Sequence, residues 1–275
     1  MTGRRRACGL RIAASLAGAS TAVVAGTTAP RAEAIFRGSH APIASYRFMV
    51  SLRLAETPDA HRCGGTLIAP DIVLTAAHCV AGVPAGGLVA VVGADVPDWP
   101  SAARVPTLRH RLPRTFRPSA NRDDIALVRL AEPQPTAVIR LAASEPRVGA
   151  RVVTAGWGCT NAPPVCRVRP RTLQASGQTV LRDAVCGRDV FWNPPYSPRT
   201  SMCTKGVRPR STVNRGDSGG PLLVRDGRGG FRVVGVVSLG SDSATKLYAG
   251  FTSIPVERRW IDAAIRSLAG ATASR

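Results

Sequence analysis

Three short segments of this chain combine residue types that could carry out nucleophilic chemistry: Thr75-Ala76-Ala77-His78-Cys79, Asp124-Ile125-Ala126-Leu127 and Gly216-Asp217-Ser218-Gly219-Gly220-Pro221. A serine hydroxyl is a poor nucleophile at neutral pH. It needs a base within hydrogen-bond reach, and that base needs an orienting partner. Ser218 could attack a carbonyl, His78 could take its proton and return it to the leaving group, and an aspartate could hold the imidazole tautomer and stabilise the imidazolium. Two acids adjoin, Asp123 and Asp124, and the residues alone do not choose between them. Gly216 allows a turn whose N–H points inward.

The groups that must position these residues begin after a distinct N-terminal stretch. Arg4, Arg5, Arg6 and Arg11 form a basic start, residues 12–25 are small and apolar, and Ala32-Glu33-Ala34 fits a small-x-small cleavage site. That pattern predicts a cleaved signal peptide over 1–34 and a secreted protein. A membrane anchor is the competing reading, but a spanning helix needs about 20 apolar residues. No later segment is long and apolar enough, so no membrane association is expected once the leader is gone.

Removing five arginines and Glu33 with the leader lowers the formal charge from +20 to +16. Lys205 and Lys246 are the only lysines, so the charge is carried by arginine and persists at any working pH. Such a surface suits anionic polymers, anionic surfaces or acidic substrates. Arginine-rich composition from a GC-rich genome explains it equally well. No nucleic-acid-binding motif is present. Of seven cysteines, Cys8 falls in the leader, and the even six that remain suit a disulfide-bonded exported protein. No Cys-x-x-Cys pair or clustered histidines point to zinc, and no metal or cofactor is expected.

Beyond the leader the chain reads as all-β. Short apolar or β-branched runs at 46–54, 65–68, 72–75, 88–92, 125–130, 151–156, 221–224, 231–238 and 248–254 are separated by Gly, Pro, Asp and Asn. Many short strands with frequent turns suggest a sandwich or barrel. One helix is legible at 256–269, where Trp260, Ile261, Ala264, Ile265 and Leu268 share a face.

On the three motifs, in the order His, Asp, Ser, the chain from about Ile35 to its C-terminal helix resembles the trypsin/chymotrypsin family of serine endopeptidases. The resemblance implies a domain over 35–270 made of two six-stranded antiparallel β-barrels, about 35–145 and 146–255, with the active site in the cleft between them. It selects Asp124 as the catalytic acid, leaving Asp123 solvated, and gives His61 a structural place. The backbone N–H groups of Gly216 and Ser218 become an oxyanion hole. Asp217 becomes the partner of a new ammonium on Ile35, which cleavage after Ala34 would release directly; Phe36 and Arg37 depart from the usual Val and Gly there.

The resemblance also implies the pairs Cys63–Cys79, Cys159–Cys166 and Cys186–Cys203. It places Thr212 and Val213 at the floor of the specificity pocket, where trypsin-like members carry Asp. Ser238-Leu239-Gly240 form its wall strand, and Ala249 replaces a common glycine opposite. Asn214 and Ser243 stand where a pocket disulfide is usual. The implied activity is hydrolysis of protein or peptide substrates after uncharged apolar or aromatic residues. The alternative is a catalytically weak, basic protein of the same fold held on anionic surfaces; an esterase is a third reading of the same triad.

Overall fold

The computed structural model describes Thr2 and residues 35–96, 102–163, 165–188, 195–208, 211–240 and 247–270, all but Thr2 within the unit Ala32–Arg275. Apart from Thr2, the expected leader lies outside the described residues, and so does Ser243. Among the described residues no helix is long and apolar enough to cross a membrane.

After a short strand β1 (Ser39–His40), six antiparallel strands follow: β2 (Met49–Leu54), β3 (Cys63–Ala69), β4 (Ile72–Thr75), β5 (Leu88–Val92), β6 (Arg104–Arg111) and β7 (Ala126–Leu130). They close into a barrel in the order β2-β3-β4-β7-β6-β5, sealed by pairing of β2 with β5. Val50, Leu52, Leu67, Leu74, Leu127 and Leu130 are at most 1% exposed. Each side chain so buried contributes roughly 1.5–3 kcal/mol by leaving water, which makes the barrel a stiff support.

A linking strand β8 (Arg140–Leu141) precedes the second set: β9 (Arg151–Gly156), β10 (Gln174–Val180), β11 (Ser201–Gly206), β12 (Pro221–Arg225), β13 (Phe231–Gly240) and β14 (Tyr248–Ser253). These run β10-β11-β14-β13-β12-β9, and β9 pairs with β10 to close a second six-stranded barrel. Both linking strands belong to it by pairing. β8 lies parallel to β13, and β1 pairs with β10, so the N-terminal segment is stitched to the second barrel although the first barrel follows it in sequence.

Among the described residues the α-helices are α1 (Ala77–Val80), α2 (Asp183–Gly187) and α3 (Ile254–Gly270). Ile261, Ala264 and Leu268 of α3 are buried, on the face their spacing predicts. The Leu268 carbonyl accepts hydrogen bonds from Arg109 and Arg129, so the far end of α3 is tied to β6 and β7 of the first barrel.

Candidate active site

The register of the first barrel places His78 beside Asp124. β4 and β7 are antiparallel neighbours with Thr75 opposite Ala126. His78 lies three residues past the end of β4, in α1, and Asp124 lies two residues before β7, so both emerge at the same end of the barrel. His78 Nδ1 donates to Asp124 Oδ2 at 2.7 Å, and the His78 backbone N–H donates to Oδ1 at 2.9 Å. Ser238 Oγ gives Asp124 Oδ2 a further hydrogen bond at 2.5 Å, and Thr252 Oγ1 holds the Asp124 carbonyl at 2.8 Å.

The asymmetry of burial explains the electrostatics. Asp124 is 1% exposed and the His78 side chain 37%. Burial pushes the Asp124 carboxyl up, but the His78 charge, the hydrogen bonds from His78 and Ser238 and the His78 backbone N–H together hold it below its ordinary value. Burial pulls His78 down and the Arg62 charge does the same, yet the bond to Asp124 and its charge leave the imidazole pKa raised. With Nδ1 committed to Asp124, Nε2 has no hydrogen-bond partner among the described residues and remains a base.

Ser218 comes from the second barrel, three residues before β12. Its turn is locked across to the first barrel: Gly64 N–H of β3 donates to the Ser218 carbonyl at 2.7 Å. Gly219 shows how close the barrels come there. It has φ +80°, and a Cβ on it would lie 2.2 Å from Thr75 Oγ1 and 3.2 Å from Ala76 N, in the segment that leads into His78. Thr75 Oγ1 in turn donates to the Gly64 carbonyl at 2.8 Å. Ser218 is half-buried, and neither its N–H nor that of Gly216 has a partner among the described residues. Gly216, at φ +97°, turns its carbonyl the other way, onto His61 Nε2 at 2.8 Å.

Asp217 is fully buried. Its Oδ1 accepts from Gly158 N–H and its Oδ2 from Asn214 N–H, both at 2.8 Å. A Cβ on Gly158 would fall 2.3 Å from the carboxyl carbon, so glycine is needed for this approach. Burial outweighs these bonds and the Arg169 charge, and pushes the carboxyl up to about 7. Ile35 is also wholly buried, and Phe36 forms a β-bridge with Thr212, five residues before Asp217. The unusual pair Phe36–Arg37 packs on itself, with the guanidinium 5.6 Å from the ring centre.

The expected pocket residues are brought together by β13 and β14. Gly240 pairs with Ala249 and Leu239 with Gly250. Val213 and Ala249 are buried in one apolar cluster, and Leu239 packs with Tyr196 and the Cys186–Cys203 pair. Thr212 is fully buried, its Oγ1 3.4 Å from the Tyr248 carbonyl. Ser238 lies in the expected wall strand, but its side chain serves Asp124. Asn214 Nδ2 donates to the carbonyls of Cys159 and Asn161.

The cysteines bond as Cys63–Cys79, Cys159–Cys166 and Cys186–Cys203, with Cα separations of 6.2, 5.3 and 5.9 Å. Cys63, His78 and Cys79 cluster closely enough to suggest a metal site, but the two sulfurs are bonded to each other and offer no thiolate.

Some contributors had no sequence signal. Buried Asn121 meets Ser238 Oγ at 2.8 Å, and buried Ser51 meets His61 Nδ1 at 2.7 Å. Asp123 is not solvated as expected. Its side chain is 15% exposed, at φ 55°, with Arg122 on one side. Glu257 of α3 bonds it on the other, and burial together with the Asp123 charge and that hydrogen bond pushes Glu257 up to about 7.

Comparison with known proteins agrees with this architecture. The family model described as Trypsin matches residues 35–261. A trypsin of Sarcophaga bullata is 29% identical over 239 residues, covering 85% of this chain and 90% of that protein. Trypsin theta of Drosophila erecta is 29% identical over 233 residues, covering 82% and 84%, and trypsin epsilon of the same fly is 30% identical over 240 residues, covering 85% and 88%.

Proposed function

This chain belongs to the trypsin family of serine endopeptidases, and we propose that it is exported and cuts peptide bonds with Ser218 as nucleophile, His78 as general base and then acid, and Asp124 as the group that orients and charges His78. The observation that carries the reading is the enclosed Asp124 carboxylate, which takes both the Nδ1 proton and the backbone N–H of His78 and leaves Nε2 free. The open N–H groups of Gly216 and Ser218 suit an oxyanion hole. Losing one such donor typically costs about 3–4 kcal/mol of transition-state stabilisation.

Maturation by cleavage after Ala34 belongs to the same reading. Ile35 is β-branched and held at φ 51°, a conformation that costs such residues of order 1–3 kcal/mol. A residue at a free N-terminus has no preceding peptide and so no φ to strain. The new ammonium would neutralise Asp217. Thr212 at the pocket floor offers a hydroxyl and no charge, and with Val213 and Ala249 it favours cleavage after apolar or aromatic residues.

Single and double substitutions test the triad. Ser218→Ala and His78→Ala should each remove nearly all peptidase activity, and the double variant should be little worse, because residues acting as a unit do not add. A serine-phosphonylating reagent should label Ser218 alone. Substantial peptidase activity in purified Ser218→Ala would sink the assignment.

A further inference from the structure

Three arginines are close to the hydrogen bond that joins His61 to Gly216, two of them by side-chain contacts and one as the residue preceding Gly216. Arg62 follows His61 in sequence, is exposed, and donates from Nε to the Cys79 carbonyl at 3.1 Å, next to His78. Arg169 is exposed and donates to the His61 carbonyl. Its guanidinium carbon lies 3.7 Å from where a Cβ on Gly216 would sit. Arg215 is exposed and directly precedes Gly216.

Other arginines of this chain face acids: Arg104 meets Asp59, Arg129 meets Asp71 and Arg258 meets Asp262. Arg62, Arg169 and Arg215 make no ion pair among the described residues. The charge of Arg169 reaches Asp217, but that carboxylate is enclosed and already bonded by Gly158 and Asn214. Three guanidinium groups are thus left with donors to spare at the edge of the reacting groups.

Their side of the cleft follows from the chemistry. The Gly216 and Ser218 N–H groups mark where the scissile carbonyl oxygen sits. His78 returns its proton to the leaving amine, so the leaving segment departs over His78 towards Cys79, where Arg62 is anchored. Two extended residues span roughly 7 Å, enough to carry a side chain to this cluster. We propose that this enzyme selects substrates with Asp or Glu among the first two residues after the cut bond, held by Arg62, Arg169 and Arg215. Guanidinium groups suit carboxylates through paired N–H donors. Arg62 and Arg169 are both tied beside His61, and Arg215 adjoins the Gly216 to which His61 is bonded; so compact a set favours a single acidic side chain over an extended polyanion. The inference rests on the triad reading above.

The test uses the processed enzyme and matched peptides that span the cut bond, with Asp, Asn, Glu or Gln at the first or second position after it. An anilide substrate with no residues beyond the cut bond reports the catalytic centre separately. Asp or Glu should exceed its amide counterpart in kcat/KM by about tenfold at one of these positions in low salt, and the ratio should shrink in about 0.5 M salt. The triple variant R62Q, R169Q, R215Q should bring the ratio below about threefold. Arg62 and Arg169 also hold backbone carbonyls, so Arg215→Gln alone, whose side chain makes no described hydrogen bond, provides a second measurement. It should lower the ratio at least about twofold.

A ratio near one while the anilide is hydrolysed overturns this inference and leaves the triad standing. Failure to hydrolyse the anilide, with Ser218 unlabelled, overturns the triad reading instead. Heparin binding that is lost in the triple variant, without any acidic-peptide preference, assigns the arginines to a polyanion and also overturns the proposal.

Discussion

Adding one alanine before Ile35 isolates how Asp217 is held. In a chain that continues upstream of Ile35, the nitrogen of that residue is an uncharged amide, and burial pushes the Asp217 carboxyl from an ordinary 3.8 up to about 7. A rise of that size corresponds to about 4 kcal/mol against the ionised form. The folded chain then keeps a proton over a range where the unfolded chain has lost it. Stability therefore falls as pH climbs from near 4 to near 7 and stays low above that. An ammonium at Ile35 removes the cause, because Asp217 then ionises with a cation beside it. The extended form should be less stable than the form beginning at Ile35 by about 4 kcal/mol at pH 8, and by only about 1–2 kcal/mol at pH 5. Urea denaturation followed by tryptophan fluorescence measures this, with Ser218→Ala in both forms to prevent self-cleavage. The same pair with Ser218 intact should differ in kcat/KM at pH 8, since an uncompensated Asp217 disturbs the turn that carries Gly216 and Ser218. Equal stability at pH 8, or an extended form as active as the processed one, refutes the role given to Ile35.

Activity should fall as pH drops through a midpoint above 6.5, where His78 gains a proton; Asp124→Asn should move that midpoint down as well as lower kcat, because it removes the charge that raises His78 against burial. Gly219→Ala should abolish activity or folding, since its Cβ would meet Thr75 Oγ1 at 2.2 Å at a φ of +80°; soluble, active protein refutes the closeness of the two barrels there. Thr212→Asp should raise kcat/KM for an arginine peptide relative to a phenylalanine peptide by about tenfold or more, because an arginine keeps its charge and needs a carboxylate in a closed pocket; an unchanged ratio removes Thr212 from the floor. Glu257→Gln should stabilise the protein by roughly 2 kcal/mol at pH 8 and little at pH 5, because Glu257, raised to about 7, ionises beside Asp123 only as pH rises through that range; thermal melts at the two pH values decide it.

The sequence by itself determined the class of fold and the chemistry. Apolar strands such as Ile72–Thr75 and Ala126–Leu130 are visible because nearly every residue in them is buried, which writes a short continuous apolar run into the sequence. The motifs around His78, Asp124 and Ser218 are local, so they survive in one dimension. Strands β6, β10 and β11 carry no such run. β10 buries Gln174, Ser176 and Gln178, and Arg104–Arg111 carries three arginines, a histidine and a proline, so neither shows an apolar alternation. What only the tertiary structure decided depends on groups far apart in sequence meeting. Ser238 reaches Asp124 and Asn121 because β13 of the second barrel comes up to the first, and Asp123 leaves water because Glu257 arrives from the C-terminal helix. Arg62, Arg169 and Arg215 are individually three among many arginines. They share one place only because His61 and Gly216, 155 positions apart, are joined by a hydrogen bond across the cleft.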